Sequence, residues 1–205
     1  MSMKVSVCAM AGATFFGFLV AEMRLSHIKW LRAIASFYVW LIRGVPLMMI
    51  LFWLYYATPF GLRISAFQAG VTGMIMNSTA FKSEIIRAGL LAVDKKQLEA
   101  ADAIGMNPIQ KMVRVTIPQT IRIIFPSYMS NCVIMLKESA QVSVITVQDL
   151  MLVAQRTFNS LYTIPETLGV CAGLYLAMTS LIMLIQFITE KKLKISKAAM
   201  GGSGI

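Results

Sequence analysis

The amino-acid sequence predicts an all-α membrane protein with about five transmembrane helices. Of its 205 residues, 58% are hydrophobic and only 14% are charged, and the mean hydropathy is +0.72. Soluble domains average about 25% charged residues. Uncharged runs close to the ~20 residues that a spanning helix needs recur along the chain, and most lysines and arginines are in alternate segments between them.

Four runs without a charged residue indicate spanning helices, and they cover residues 5–21, 44–62, 64–81 and 167–189. A fifth run, 117–136, contains Arg122, Pro118 and Pro126, so we place its first turn at the membrane interface. One transmembrane domain, residues 1–197, is therefore expected, with spans at about 5–22, 44–62, 64–88, 117–137 and 167–189. Residues 24–43 are basic at their start and then amphipathic, which predicts an interfacial helix.

The first run also fits the apolar centre of a signal peptide, since Lys4 precedes it. No clear small-residue cleavage site follows, because Glu22, Arg24 and His27 come next. An uncleaved first span is the preferred interpretation. The glycine- and serine-rich tail, residues 198–205, is expected to be flexible.

Lysines and arginines in short loops predict the orientation. With the N-terminus outside, the basic residues of segments 24–43, 87–122 and 191–197 all lie on the cytoplasmic side, as does the C-terminus. Residues 138–166 are too polar for another complete span, so helices and turns facing outward are expected there. The net charge of +10 follows this rule and does not call for a nucleic-acid partner.

The longest polar-rich interval, residues 94–126, carries signals for two short helices. Asp94 is a candidate N-cap with Gln97 at the third helical position, which is the capping-box pattern. Gly105 ends this helix. Asn107 then caps a second helix, and Pro108 occupies the first helical position, where its missing N–H is not needed. The interval therefore predicts two helices that meet at a glycine corner and are contacted by another protein.

No stretch of the sequence combines the residue types that catalysis or metal binding requires. The three cysteines, Cys8, Cys132 and Cys171, are far apart, and His27 is the single histidine. The sequence contains neither an HExxH motif nor a GxxxxGK[ST] phosphate-binding loop. An enzyme is therefore not expected, and any nucleotide hydrolysis would require another chain.

The stretch EAADAIG, residues 99–105, is followed nine residues later by VTIP, residues 115–118. This pattern resembles the EAA loop of ATP-binding-cassette import permeases. The resemblance implies that residues 94–116 form a coupling loop that docks on a cytoplasmic ATPase, with contact residues Glu99, Ala100, Ala101, Gly105 and Pro118. The plain alternative is an ordinary loop helix without a partner.

Three other stretches resemble the polar amino acid uptake permeases within that group. They are RGVPL at 43–47, AFKSEIIRAG at 80–89, and LKESA at 136–140 followed by VSVI and Asp149. The similarity extends over roughly residues 24–192. Phe81 replaces a common tyrosine and Glu138 a common aspartate, and members of this family usually have more residues before the first span.

This resemblance implies a set of partners and a location. An ATPase dimer would bind ATP and Mg, a second permease copy or homologue would complete the pathway, and an external solute-binding protein would deliver the substrate. The chain itself would carry no cofactor and would lie among the lipids of a bacterial inner membrane. A secondary transporter or channel that works without an ATPase is the alternative, and a membrane scaffold is a third.

Polar residues inside the apolar runs are candidates for the substrate pathway, and they are Asn77, Asn131, Lys137 and Glu138. Hydrogen bonding between helices is the commoner role of such asparagines. Arg43, Pro46, Glu84 and Arg87 are candidates for structural or gating roles. Glu84 and Arg87 are three residues apart on one helix, and the commoner role of such an ion pair is only to anchor the helix end.

Overall fold

The computed structural model describes residues 1–61 and 63–192, and the predicted flexible tail 198–205 lies outside them. The described residues form helices and turns without any strand, which confirms the predicted all-α class. The nine α-helices within these described residues are α1 Ser2–Leu25, α2 Lys29–Gly44, α3 Leu47–Tyr56, α4 Ala66–Leu91, α5 Lys95–Ala103, α6 Pro108–Lys111, α7 Ile117–Glu138, α8 Leu150–Leu161 and α9 Ile164–Lys192.

Two of these helices, α1 and α9, are long and apolar enough to cross a membrane on their own. A third span is possible by the same criteria if α2 and α3, which meet at a bend of 99°, act as one broken span. The other two predicted spans correspond to α4, with 26 residues, and α7, with 22 residues. Both are long enough to span, but each contains charged residues.

The second predicted span, 44–62, differs from the observed helix. Gly44 is the last residue of α2, and α3 begins only at Leu47 and ends at Tyr56. Val45 is extended (φ −108°, ψ 129°), as the residue before a proline prefers, and Pro46 is the N-cap of α3. The proline therefore bends the chain close to the predicted boundary between segments 24–43 and 44–62. Of the predicted interfacial helix, Arg24 and Leu25 end α1, and residues 29–43 lie in α2, the first half of the bent pair.

Small residues bring α1 alongside α4, and this is the most extensive helix pairing in the described part of the chain. A Cβ added to Gly12 would lie 2.6 Å from Cδ1 of Ile75, and one added to Gly17 would lie 3.1 Å from Cβ of Lys82. Close approach of this kind is what small residues provide between membrane helices. The α7 helix packs against the same pair and against α9.

The outward segment predicted at 138–166 contains a 3₁₀ turn, Ser139–Ile145, followed by α8. The buried Asp149 is the N-cap of α8, and its carboxylate accepts hydrogen bonds from the backbone N–H groups of Leu152 (2.9 Å) and Met151 (3.2 Å). Burial raises the pKa of the Asp149 carboxyl, although these hydrogen bonds act in the opposite direction. The α8 helix packs against α9, the helix of the last predicted span.

Candidate functional site

The predicted coupling loop, residues 94–116, begins with α5, and Asp94 caps the N-terminus of this helix. The Asp94 carboxylate accepts from the backbone N–H of Lys96 at 2.9 Å. The predicted capping box with Gln97 is wrong, because the Gln97 side-chain oxygen accepts a hydrogen bond from the amide of Gln119 in α7 instead. A tertiary partner for Gln97 has replaced the local one, and it links the start of the loop to the start of α7.

The glycine corner is confirmed. Gly105 has φ +73°, a left-handed conformation that strains residues with a side chain. After it, the Asn107 side chain accepts from the backbone N–H of Gln110 at 2.8 Å, and the Gln110 side chain accepts from the backbone N–H of Asn107 at 3.1 Å. With Pro108 as the first residue of α6, the second helix begins as the sequence predicted.

The surface of the corner is more apolar than the predicted contact residues suggested. Glu99 and Ala100 are exposed, but Ala101 is only 4% exposed and packs inside the chain. Ile104 and Ile109, which the motif did not single out, are 73% and 76% exposed on either side of Gly105. Exposed apolar side chains clustered on a polar loop are typical of a protein contact surface.

The loop joins α7 without a break in helical structure. A π-helical segment, Met112–Thr116, connects α6 to α7, and Pro118 lies in the first turn of α7. Proline lacks the N–H that an α-helix would use here, and single π turns are frequent at functional positions. Across the corner, the Lys111 ammonium pairs with the Asp102 carboxylate at 2.6 Å. Residues 108–138 are therefore helical throughout.

A three-residue ion cluster connects α1 and α4. Within α4, the Arg87 guanidinium donates to Oε2 of Glu84 at 3.0 and 3.2 Å, so the predicted pair forms. The other oxygen, Oε1, pairs with Arg24 of α1, a partner that sequence reasoning missed. Sixty positions separate Arg24 from Glu84, and only the packing of α1 on α4 brings them together.

An open cavity of about 680 Å³, with a mixed apolar and polar lining, lies between α4, α7 and the end of α2. The Arg43 guanidinium stacks over the Phe81 ring, 5.4 Å from its centroid, at the wall of this cavity. Oδ1 of Asn131 is buried and has no hydrogen-bond partner among the described residues. The lining residues are Arg43, Phe81, Glu84, Ile85, Pro126, Ser127, Ser130, Asn131 and Ile134.

The structure brings together some of the predicted site residues and separates others. Arg43, Glu84 and Asn131 line the same cavity. Asn77 is 5% exposed within α4, whereas Lys137 and Glu138 end α7, and these three do not line it. Pro46 and Arg87 also lie outside the lining: Pro46 shapes the α2–α3 bend and Arg87 neutralises Glu84.

These features define a class of protein: a helical membrane subunit with a capped loop that continues into a membrane helix, and without a phosphate-binding loop in its sequence. The chain belongs to the family of binding-protein-dependent transport system inner membrane components, whose model matches residues 13–195. It is therefore a non-catalytic permease subunit of an ATP-binding-cassette importer, a family that works with an ATPase and further permease partners. This assignment excludes the ATP-independent alternative.

Relatives match along nearly the whole chain. A Rickettsia bellii protein with the provisional name glutamine transport system permease protein is 37% identical over 201 residues, which cover 95% of this chain and 90% of the relative. An octopine transport system permease protein of Rhizobium meliloti is 33% identical over 87% of this chain and 77% of its own length.

Solved structures show the same fold. A chain from the crystal structure of an amino acid ABC transporter with histidines has a TM-score of 0.86 and 38% identity, covering 94% of this chain and 90% of that one. A chain of an inward-facing MetNI methionine ABC transporter has a TM-score of 0.73 at 18% identity, over 93% and 95% of the two chains, and shares the fold.

Proposed function

We propose that this permease moves polar amino acids, and that the cavity beside Asn131 is where the amino acid binds during transport. The unpartnered Oδ1 of Asn131 is the observation that carries the proposal. A buried amide oxygen without a donor costs free energy, which a bound ammonium group would recover. The names of the relatives and of the similar structure support this substrate class.

The charges around the cavity suit a zwitterion. The Arg43 guanidinium at the wall provides a cation for an α-carboxylate, and arginine binds carboxylates through two parallel hydrogen bonds. Glu84 also reaches the cavity, but its carboxylate is already paired with two arginines. We therefore propose that Arg43 binds the α-carboxylate of the amino acid and that Asn131 binds its α-ammonium group. Glu84, already paired, forms part of the cavity wall.

Coupling to ATP hydrolysis would act through the glycine corner. We place the ATPase dimer, with its bound ATP and Mg, against Glu99, Ala100 and the exposed isoleucines beside Gly105. Ala101 would support that surface from inside, and Pro118 would carry its displacement into α7. If ATP binding favours one arrangement of the ATPase dimer, the docked loop would shift the membrane helices toward the conformation that fits that arrangement.

The charge distribution supports an orientation, and the orientation gives each remaining partner its side of the membrane. The basic residues of segments 24–43 and 87–122 favour a cytoplasmic coupling loop, an external N-terminus and a cytoplasmic C-terminus in a bacterial inner membrane. Lys137 and Glu138 would then lie near the external end of α7, at the pathway entrance, where a solute-binding protein delivers the substrate. A second permease subunit would close the cavity from the other side.

Asn131→Ala tests the assignment of the substrate site. In proteoliposomes with the ATPase and the binding protein, we expect the KM for L-glutamine, the first probe in a panel of labelled polar amino acids, to rise about tenfold, because a hydrogen bond to a charged group is lost. Asn77→Ala is the matched control, since Asn77 is buried outside the cavity. Equal effects of both variants would refute the site, and failure of the wild type to transport any polar amino acid would refute the substrate class.

A further inference from the structure

Lys82 carries a buried charge, and it belongs neither to the cavity lining nor to the coupling loop. It lies in α4, and its side chain is fully buried. The ammonium Nζ is 3.6 Å from the centroid of the Tyr128 ring and 3.6 Å from Sγ of Cys132, both in α7. Among the described residues, no carboxylate lies within 4.0 Å of this ammonium.

Such an environment does not favour folding. An ammonium buried in α4 carries a desolvation cost, and the Tyr128 ring offsets part of that cost only while the contact is made. A thiol is only a weak acceptor. A charge inside a membrane helix that is not neutralised by a partner commonly marks a functional position, and Lys82 fits that description.

The position of the contact within α7 indicates what it does. Tyr128 follows Pro126 by two residues, and this proline interrupts the helical hydrogen bonds of α7. The Tyr128 hydroxyl also pairs with Oγ1 of Thr14 in α1, at 2.5 Å. Gly17 gives the Lys82 stem its space, since an added Cβ there would lie 3.1 Å from Cβ of Lys82. Just beyond its proline, α7 is thus fastened to both α1 and α4.

We propose that Lys82 and Tyr128 form a latch between α4 and α7 that holds α7 in this conformation and opens when the coupling loop displaces it. The latch rests on the proposed ATPase docking, because the second helix of the loop, α6, continues through the π-helical segment into α7. Lys82 is a positioning residue and does not touch the substrate. The contact of the Lys82 ammonium with the Tyr128 ring determines how readily α7 moves. It therefore determines how much ATP is hydrolysed when no binding protein is present.

Basal ATP hydrolysis of the assembled complex in proteoliposomes, without binding protein, tests the latch. Lys82→Met keeps the stem and removes the charge, and Tyr128→Leu removes the ring. Each should raise basal hydrolysis about tenfold, the change that corresponds to 1.4 kcal/mol in an equilibrium. Because the two act on one contact, the double variant should exceed neither single variant.

Two controls separate the latch from a structural role. Tyr128→Phe keeps the ring and loses only the Thr14 bond, so basal hydrolysis should stay within about twofold of the wild type. The melting temperature of Lys82→Met should equal or exceed that of the wild type, because a buried charge is removed. If Lys82→Met does not insert, the difference between Tyr128→Leu and Tyr128→Phe decides the question.

Three results would overturn the latch: unchanged basal hydrolysis in Lys82→Met, additive effects in the double variant, or equal behaviour of Tyr128→Leu and Tyr128→Phe. Gly105→Val distinguishes this failure from failure of the proposed coupling. If Gly105→Val uncouples the complex while the Lys82 and Tyr128 variants leave basal ATP hydrolysis unchanged, only the latch is wrong. If Gly105→Val also has no effect on coupling, the proposed docking of the ATPase on the loop is wrong as well.

Discussion

The coupling loop and the α1–α4–α7 junction stabilise their conformations in opposite ways. The loop is largely exposed, and its helices begin at capping residues that lie within three positions of the groups they bind. The junction is buried, and its decisive contacts join residues far apart in sequence, such as Arg24 with Glu84 and Lys82 with Tyr128. The loop is therefore determined mainly by local contacts, with the Gln97–Gln119 bond as an exception, and the junction mainly by the assembled fold.

This difference predicts different consequences for substitutions. Changes in the loop should alter coupling while the membrane fold persists, because few tertiary contacts depend on the loop. Changes in the junction should alter stability first, because close helix packing tolerates little added volume. Substitutions at glycines in the two regions make the comparison direct, since both add a side chain.

The largest effect is expected from Gly89→Val, in the junction. A Cβ at Gly89 would lie 2.0 Å from Cγ2 of Ile124 and 3.1 Å from Cγ2 of Thr120. Separating α4 from α7 to admit it should cost about 3 kcal/mol of stability, visible as a lower melting temperature in detergent. Gly169→Val in α9, where an added Cβ meets nothing within 4 Å, is the matched control. Equal melting temperatures would contradict the close packing, and Ile124→Ala should partly rescue Gly89→Val.

Gly105→Val should give the next largest effect, on coupling and not on stability. A β-branched residue resists φ +73° by roughly 1–2 kcal/mol, so the corner would reorganise. We expect uptake and substrate-stimulated ATP hydrolysis in proteoliposomes to fall about tenfold, with a melting temperature near that of the wild type. Gly105→Asn tolerates the left-handed conformation and should keep most activity. Full coupling in Gly105→Val would show that the corner does not transmit ATPase motion.

The smallest effect is expected at Asp149, a local cap set in a buried environment. Asp149→Ala removes the acceptor for two N–H groups of α8 and should cost about 1 kcal/mol. Asp149→Asn keeps an acceptor and removes a charge whose pKa burial has already raised, so its melting temperature should be no lower than that of the wild type. If Asp149→Asn lowers the melting temperature as much as Asp149→Ala does, the charge contributes to stability and the helix cap alone does not explain the role of Asp149.

Sequence reasoning predicted those parts of the site that depend on neighbours in the chain. The Gly105 corner, the Asn107 cap and the Glu84–Arg87 pair involve separations of four residues or fewer, which spacing reveals directly. It failed for Gln97, whose side chain bonds to Gln119, and the helix α3 covers only Leu47–Tyr56 of the predicted 44–62 span. It gave Lys82 no role because no pattern in a single sequence shows that Tyr128 will cover its ammonium.

The sequence alone determined the helical membrane class, the glycine corner and the motif that places the chain among importer permeases, because hydropathy and capping act over a few residues. The tertiary structure decided which polar residues meet. It brought Arg43, Glu84 and Asn131 to one cavity, left Lys137 outside it, and buried Lys82 against α7. The physical reason is that helix packing in a membrane depends on side-chain shape across helices, which residue spacing along one helix does not encode.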